Sequence, residues 1–238
     1  MHIDTAELGV SLRRLAAGQT EGAGVTSALH EVTLACVDLF QVSGSGIMIA
    51  DEQNITRYVA SSDGPGRFLE EFESATGQGP CTEAFVDNQL VDSADVTADD
   101  RWPALAQAMR GRGVFAVLGV PVRLGGVPIG TLDAYLDRPH DWDDSERRAL
   151  TRYGDVVSTT LTAALRAHTA GELAGQLQYA LDYRVVIERA VGYLMAQSGI
   201  DSVSAFNRLR RVARGQRTKI GAIAEELLST GRLPSAQD

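Results

Sequence analysis

Apolar residues recur at intervals of three and four near the start of the chain, in segments 5–17 and 25–40. This spacing places them on one face of a helix. Gly44 and Gly46 then interrupt the pattern, so we predict two helices followed by a change of structure. The recurring positions of the second segment are Val25, Leu29, Val32, Leu34, Cys36, Val37 and Phe40.

Strand-like runs follow this helical region. Residues 47–50 and 56–62 predict two strands joined by a polar turn at 51–54. Residues 114–136 predict a hairpin, because β-branched runs lie on either side of Gly125-Gly126, a dipeptide that tolerates positive φ in a tight turn. Between these strands, the pattern predicts helices at 65–77, 80–88 and 101–113 and a strand followed by a loop at 90–100.

No proline occurs between Asp144 and Ser198, and apolar residues keep helical spacing there. One helix of that length would extend on the order of 80 Å, which is more than one small core can cover. We therefore predict that it pairs with its copy in a second subunit. Gly171 and Gly175 favour the alternative of a break near residue 170.

Three amphipathic helices are predicted at the end of the chain. The first ends at Gln197, the second spans 202–214 with Asp201 or Ser202 as its N-cap, and the third spans 218–230. Their apolar faces suffice to close a small bundle. The residues on those faces are Ile187, Val191, Leu194, Val203, Phe206, Leu209, Ala213, Ile220, Ile223 and Leu227.

The charge is distributed unevenly. The whole chain has a net charge of −9, but residues 1–183 have −13 and residues 184–232 have +5. An acidic body with a basic end is expected when that end binds a polyanion such as a nucleic acid. The alternative is an Arg-rich helical domain whose charges are only solvated.

The sequence contains no recognisable catalytic or metal-binding pattern. His2, His30, His140 and His168 are isolated from one another and from cysteines in the sequence, and no phosphate-binding or nucleophile motif is present. We therefore predict no enzymatic activity, no cofactor and no metal.

The composition also bears on location. No apolar run approaches the roughly 18–20 residues of a membrane helix, and the N-terminus lacks the apolar stretch of a secretory signal. Cys36 and Cys81 are too few for a disulfide framework, which favours a reducing cytoplasm.

Two residues are candidates for ligand or redox chemistry. Cys81 follows Gly-Pro at the start of a predicted helix, where the pKa of a thiol can be lowered. Trp102 could line a pocket. For each, the simpler interpretation is a buried structural residue.

Residues 24–166 resemble a GAF domain, a bacterial small-molecule or redox sensor. The resemblance rests on "GQGPCTEAF", "DDRWPALAQAMRGRGVFAVLGVPV" and "GGVPIGTLDAYLDRPHDW". It implies an antiparallel sheet flanked by helices, with a pocket on one face. Cys81, Trp102 and Tyr135, one in each segment, are the candidate pocket residues for an unknown signal.

Residues 173–232 resemble an ANTAR domain, the RNA-binding module of antitermination regulators. The resemblance rests on "LQYALDYRVVIERAVGYLMAQSGID", "AFNRLRRVAR" and "KIGAIAEELL". The expected organisation is then an α+β protein: an N-terminal helix (1–23), the GAF domain, a linking helix (167–183) that forms a coiled coil with its copy, a three-helix ANTAR bundle and a tail (233–238).

Six residues are candidates for RNA contacts. Arg184 lies on the first helix of the bundle, and Arg210 and Arg214 lie one turn apart on the second. Arg217 and Lys219 flank the start of the third helix, where backbone N–H groups attract phosphate. The sixth is Gly192, which costs about 1 kcal/mol in a helix interior and so suggests the close approach of another backbone or of RNA.

The leading hypothesis is a homodimeric regulator whose two ANTAR domains bind paired hairpins in nascent RNA under the control of the GAF domain. One alternative is a DNA-binding transcription factor with a C-terminal helix-turn-helix. Another is a redox switch that acts through Cys81.

Overall fold

The computed structural model describes residues 3–18, 25–50, 56–166 and 171–234. The helices are α1 (Thr5–Gly18), α2 (Val25–Phe40), α3 (Gly64–Thr76), α4 (Pro80–Asp87), α5 (Pro103–Met109), α6 (Asp144–Arg166), α7 (Gly171–Ser198), α8 (Ser202–Gly215) and α9 (Ile220–Thr230). The strands are β1 (Gly44–Ala50), β2 (Thr56–Ser61), β3 (Val91–Ser93), β4 (Ala116–Leu124) and β5 (Val127–Leu136).

The strands form one antiparallel sheet in the order β2-β1-β5-β4-β3. The predicted hairpin is confirmed as β4 and β5, which are joined at Gly125 and Gly126 with φ angles of 58° and 87°. Because β5 pairs with both β1 and β4, it lies at the centre of the sheet. Polar residues of β5 are therefore buried among other elements.

Helices cover both faces of the sheet. The alternate residues Leu118, Val120, Leu132 and Ala134 pack against α1, α2 and α6 in the main apolar core. On the opposite face, residues such as Val117 pack against α3, α4 and α5 in a second core. Since neighbouring side chains of a strand point to opposite faces, each of β4 and β5 contributes to both cores.

The last three helices close the predicted bundle. The apolar side chains of α7, α8 and α9 share one buried cluster, which confirms nine of the ten predicted face residues; Val203 is half-buried outside it. The cluster's buried residues in the bundle are Ile187, Ala190, Val191, Leu194, Ala205, Phe206, Leu209, Val212, Ala213, Ile220, Ile223, Ala224 and Leu227.

The bundle packs against the N-terminal domain. Its apolar cluster includes Phe85 of α4 and Ala50 of β1. The rings of Phe85 and Phe206 meet edge to face, with centroids 6.1 Å apart. Helix α8 contacts α4, and α7 contacts β1 and β5. The two domains therefore share a buried apolar contact.

The continuity of the long helix remains a prediction, because residues 167–170 lie outside the described residues, as does the polar turn at 51–54. Helix α6 ends at Arg166 and α7 begins at Gly171. The pairing of this helix with a second subunit also stays a prediction. The α+β architecture itself, with its sheet and its C-terminal helices, is confirmed.

The N-cap of α8 offers a test of the bundle. The Asp201 carboxylate accepts the Ser204 N–H at 2.7 Å, so Asp201 is the cap rather than Ser202. Asp201→Ala should lower the free energy of unfolding by about 1 kcal/mol, and Asp201→Asn by much less, because Asn also caps helices well. Urea unfolding followed by circular dichroism measures the difference, and equal losses in the two variants would contradict the capping role.

Candidate functional site

Three carboxylates lie buried between α3 and the sheet. Glu70 and Glu73 come from α3 and Asp133 from β5, and each is 0% exposed. Gly46 makes room for Glu70, since a Cβ atom there would lie 1.4 Å from Glu70 Oε1. Gly79 does the same for Glu73, whose Cδ would lie 2.2 Å from an added Cβ. We call Glu70, Glu73 and Asp133 the acidic cluster.

Most of the oxygens in the cluster lack hydrogen-bond donors. Glu73 accepts the Thr82 N–H at 2.8 Å and the Cys81 N–H at 3.4 Å, both from the first turn of α4. Among the described residues, neither oxygen of Glu70 or of Asp133 has a hydrogen-bond partner. Buried polar groups are normally paired, so this region differs from an ordinary core.

Burial controls the protonation of these groups. It raises the pKa of Glu73 to about 7, although the backbone N–H groups of α4 partly offset the effect. The pKa values of Glu70 and Asp133 are raised well above their usual range, first by burial and then by the neighbouring carboxylates. The cluster therefore holds protons at a pH where ordinary carboxylates have lost them.

The Cys81 thiol also lies beside the cluster, and its surroundings oppose the lowered pKa that a position at a helix start allows. Cys81 is 0% exposed, and burial together with Glu73, Asp133 and Glu70 raises its pKa well above the usual range. The helix start that suggested a reactive thiolate is outweighed by the loss of water and by nearby acids. These surroundings disfavour the thiolate that a redox switch through Cys81 would use.

Tyr135 lies on the same face of the sheet as the cluster. It is buried, and its hydroxyl donates to Asp63, the residue that caps α3 by accepting the Gly66 N–H at 3.0 Å. Burial and this contact with Asp63 raise the pKa of Tyr135. The side chain therefore links the central strand to the start of α3.

Trp102 belongs to the same apolar core as Tyr135, but its polar edge points elsewhere. Its Nε1 donates to Glu83 Oε2 at 3.1 Å, and the Arg101 guanidinium lies 4.1 Å from the ring centroid. Trp102 also lines a groove of about 420 Å³ between the N-terminal domain and α8. The three predicted pocket residues thus occupy one side of the sheet without sharing a single site.

Arg184 is buried against the N-terminal domain. Only 4% of it is exposed, and its guanidinium donates to the Val86 carbonyl at 3.1 Å and to Glu188 at 2.8 Å. It also lies 5.2 Å from the Phe85 ring centroid. In this conformation α4 occupies the surface that Arg184 would offer to RNA.

Two residues of α8 that were predicted to contact RNA instead donate hydrogen bonds to the C-terminal end of α3. Arg214 donates to the Ala75 carbonyl at 2.9 Å and to the Ser74 carbonyl at 3.2 Å. Arg210, 5% exposed, also approaches the Ser74 carbonyl, at 3.5 Å. These are the last carbonyls of a helix, which lack partners within the helix and favour cations.

Asn207 and Gly77 complete this contact between α3 and α8. We call the whole contact the α3–α8 clasp; it consists of Asn207, Arg210 and Arg214 on α8 and of the Ser74, Ala75 and Gly77 carbonyls. Asn207 donates to the Gly77 carbonyl at 3.0 Å. Gly77 caps α3 with φ of 70°, and a Cβ atom there would lie 2.1 Å from Asn207 Oδ1 and 2.4 Å from Arg210 Nη2. The clasp therefore leaves no room for a side chain at position 77.

The other predicted RNA contacts lie away from the clasp. Gly192, Arg217 and Lys219 are exposed, and a Cβ atom at Gly192 would meet nothing within 4 Å. Arg217 has φ of 51°, a left-handed conformation that is uncommon outside glycine and asparagine. Three of the six predicted residues, Arg184, Arg210 and Arg214, thus contact the N-terminal domain, although Arg214 is itself exposed. The other three are exposed and lie away from the clasp.

Sequence reasoning missed the acidic cluster. Glu70 and Glu73 lie in the acidic run "EEFE", which has the composition of a solvated helix face. Asp133 carried a detectable signal, because a carboxylate within an otherwise apolar run of a predicted hairpin strand is unusual.

Family models match both parts of the chain. The GAF domain model matches residues 25–161, which is more than half of the sequence. The chain belongs to the GAF family. The ANTAR domain model matches residues 175–228. The protein therefore combines a GAF domain, a sensor module, with an ANTAR domain, an RNA-binding antitermination module.

Solved structures share the GAF fold. The GAF domain of the Acinetobacter phosphoenolpyruvate-protein phosphotransferase is 18% identical, covers 69% of this chain and 98% of its own, and superposes with a TM-score of 0.54. The GAF domain of the Coxiella burnetii phosphoenolpyruvate-protein phosphotransferase is 16% identical, covers 69% of this chain and 98% of its own, and has a TM-score of 0.56.

Free methionine-R-sulfoxide reductase from Neisseria meningitidis, solved with its substrate, has the same fold, with 15% identity, coverages of 70% and 97% and a TM-score of 0.55. Because one of these GAF structures is an enzyme, the fold alone does not separate sensors from enzymes. No curated protein matches the chain. Within the described residues, no helix is both long and apolar enough to cross a membrane.

The raised pKa of Glu73 predicts a pH dependence of stability. Between its ordinary pKa of 4.5 and about 7, the folded protein binds more protons than the unfolded chain, so the free energy of unfolding falls as pH rises through this window. Glu73→Gln should remove up to about 3 kcal/mol of this fall. Urea unfolding at pH 5, 6, 7 and 8 measures it.

Glu71→Gln is the matched control, because Glu71 is 54% exposed on the same helix. It should leave the slope of the free energy of unfolding against pH unchanged. If Glu73→Gln shows the same slope as the parent, the raised pKa of Glu73 is contradicted.

Proposed function

We propose that this protein is a transcription antitermination regulator whose ANTAR domain binds paired hairpins in nascent RNA under the control of its GAF domain. The family matches to both domains support this role. So does the net charge of +5 in residues 184–232, since clustered arginines attract a phosphate backbone. Two hairpins suit two ANTAR domains, so the active form is a homodimer in this proposal.

The α3–α8 clasp is the observation that supports control by the GAF domain. Arg210 is buried, and two guanidinium nitrogens of Arg214 donate to the Ser74 and Ala75 carbonyls, so the clasp competes with phosphate for these side chains. Arg184 is occupied in the same way by α4. In this proposal the docked conformation is the silent form, and a signal at the GAF domain frees the three arginines.

The exposed residues Arg217 and Lys219 then provide the first contact with RNA. They lie at the start of α9, where the positive end of the helix dipole also favours phosphate. Arg184, Arg210 and Arg214 add to the RNA surface after undocking. This division gives the docked form a weak, non-specific affinity and the free form a strong one.

Opening the clasp should increase RNA affinity. Gly77→Asn places a side chain where Asn207 and Arg210 now lie, and asparagine tolerates the positive φ of this position. We expect roughly tenfold tighter binding of a two-hairpin RNA, in line with usual coupling energies. Fluorescence anisotropy with the full chain measures it.

Gly111→Asn is the matched control, since Gly111 has φ of 74° and an added Cβ would meet nothing within 4 Å. It should bind RNA as the parent does. Equal affinities for all three proteins would contradict control through the clasp.

Salt dependence tests the class of partner. In the Gly77→Asn background, Arg217→Ala and Lys219→Ala should each weaken hairpin binding and lower the slope of log K against log[salt] by about one unit. Arg138→Ala, an exposed arginine of the GAF domain, should change neither. A scrambled hairpin that binds equally well would contradict the RNA assignment, and preferred binding of duplex DNA would favour a DNA-binding factor.

A further inference from the structure

Six buried oxygens face one region of the GAF domain without a hydrogen-bond donor among the described residues. They are both oxygens of Glu70, both of Asp133, and the hydroxyls of Thr82 and Thr131. All four residues are at most 2% exposed. A proton on each carboxyl supplies only one donor, and the groups that act most strongly on Glu70 and Asp133 include no cationic side chain, so the set indicates a site that a cation would complete.

The unpaired oxygens lie close to one another. Glu70 Oε1 and Asp133 Oδ2 both lie within 3.2 Å of the point where a Cβ of Gly46 would be. Glu73 is near enough to raise the pKa of both other carboxylates, and the strongest neighbouring charges on Glu70 are all acidic. The Cys81 thiol and the Gly46 N–H favour the ionised form of Asp133, and the Thr82 hydroxyl favours that of Glu73, but none of the three makes a hydrogen bond of normal geometry.

The chemistry of these oxygens selects the ligand. An ionised carboxylate only accepts hydrogen bonds, so the complementary group must donate several and be positively charged. A metal ion is not favoured, because the described residues contain no group of His, Cys, Asp and Glu arranged to hold one. Ammonium groups have three N–H donors and guanidinium groups five.

We propose that the acidic cluster is a binding site for a small organic cation, an alkylammonium or guanidinium compound held by the carboxylates of Glu70, Glu73 and Asp133. Thr82 and Thr131 accept further hydrogen bonds from the same molecule. Without the cation, the carboxylates keep protons, because burial makes their ionised forms unfavourable. Binding of the cation displaces those protons into solvent.

The position of the site on α3 connects it to the clasp, and this step rests on the proposed function. Glu70 and Glu73 are on the helix whose last carbonyls hold Arg210 and Arg214. Because the cluster is fully buried, a ligand enters only if α3 moves from the sheet. The link between α3 and α4 contains Gly77 and Gly79, and glycine can adopt many backbone conformations because it has no side chain, so the link permits this movement. Movement of α3 withdraws the carbonyls from α8.

Isothermal titration of the full chain tests the site directly. The probes are methylguanidinium chloride and methylammonium chloride at pH 7.5, against sodium chloride at the same ionic strength. We expect saturable binding of at least one organic cation. Its heat should differ between buffers of different ionisation enthalpy, because protons are released from the cluster.

Two variants separate the site from general electrostatics. The double variant Glu70→Gln/Asp133→Asn keeps side-chain volume and removes two buried ionisable groups, so it should fold and lose at least tenfold in affinity. Glu71→Gln, exposed on the same helix, should bind as the parent does. The neutral probe acetamide should not bind.

Three results would each contradict the site. They are heats of both organic cations equal to that of sodium chloride, binding of acetamide as tight as that of the cations, and an unchanged cation affinity in the double variant. The RNA assay then separates this proposal from the proposed function. Cation binding that leaves RNA affinity unchanged, while Gly77→Asn raises it, would refute only the coupling. Cation binding in a protein that binds no RNA in any variant would refute the function and leave the site standing.

Discussion

The last carbonyl groups of α3 need hydrogen-bond donors, and α8 supplies them from another domain. The Ser74 and Ala75 carbonyls accept from Arg214, and the Gly77 carbonyl accepts from Asn207. Most helix ends are satisfied by their own caps or by water. Here the donors include the guanidinium group of Arg214, which in the proposed function binds phosphate instead. The docking of the two domains depends on these hydrogen bonds between α8 and α3.

Helix α3 also carries ionisable side chains that are fully buried. Its inner face brings Glu70 and Glu73 onto the sheet beside Asp133, with 0% exposure for each. Its N-terminus is capped by Asp63, which Tyr135 of the central strand also contacts. The helix is thus bound at one end to the sheet and at the other to the ANTAR bundle. A change in the charge of Glu70 or Glu73 would therefore act on a helix that contacts both the sheet and the bundle.

Much of the architecture was predictable because it depends on local periodicity. The hairpin of β4 and β5, the three C-terminal helices and their apolar faces all follow from spacing within short segments. The predicted pocket residues remain predictions. For Cys81 the sequence left two interpretations open, a thiol with a lowered pKa and a buried structural residue, because its helix start is visible in the sequence and its acidic neighbours are not. Glu73 lies eight residues before Cys81, and Asp133 lies on a distant strand.

The sequence by itself determined the two domains, their order and the basic character of the second, because family motifs, periodicity and net charge are properties of short segments and of composition. Only the tertiary structure decided which arginines are available. Arg184, Arg210 and Arg214 all donate to carbonyls of α3 or α4, and the first two are buried. Arg217 has the same chemistry but is exposed and lies away from these carbonyls. Availability depends on what packs against a side chain, and the packing partners here are more than ninety positions away in the chain.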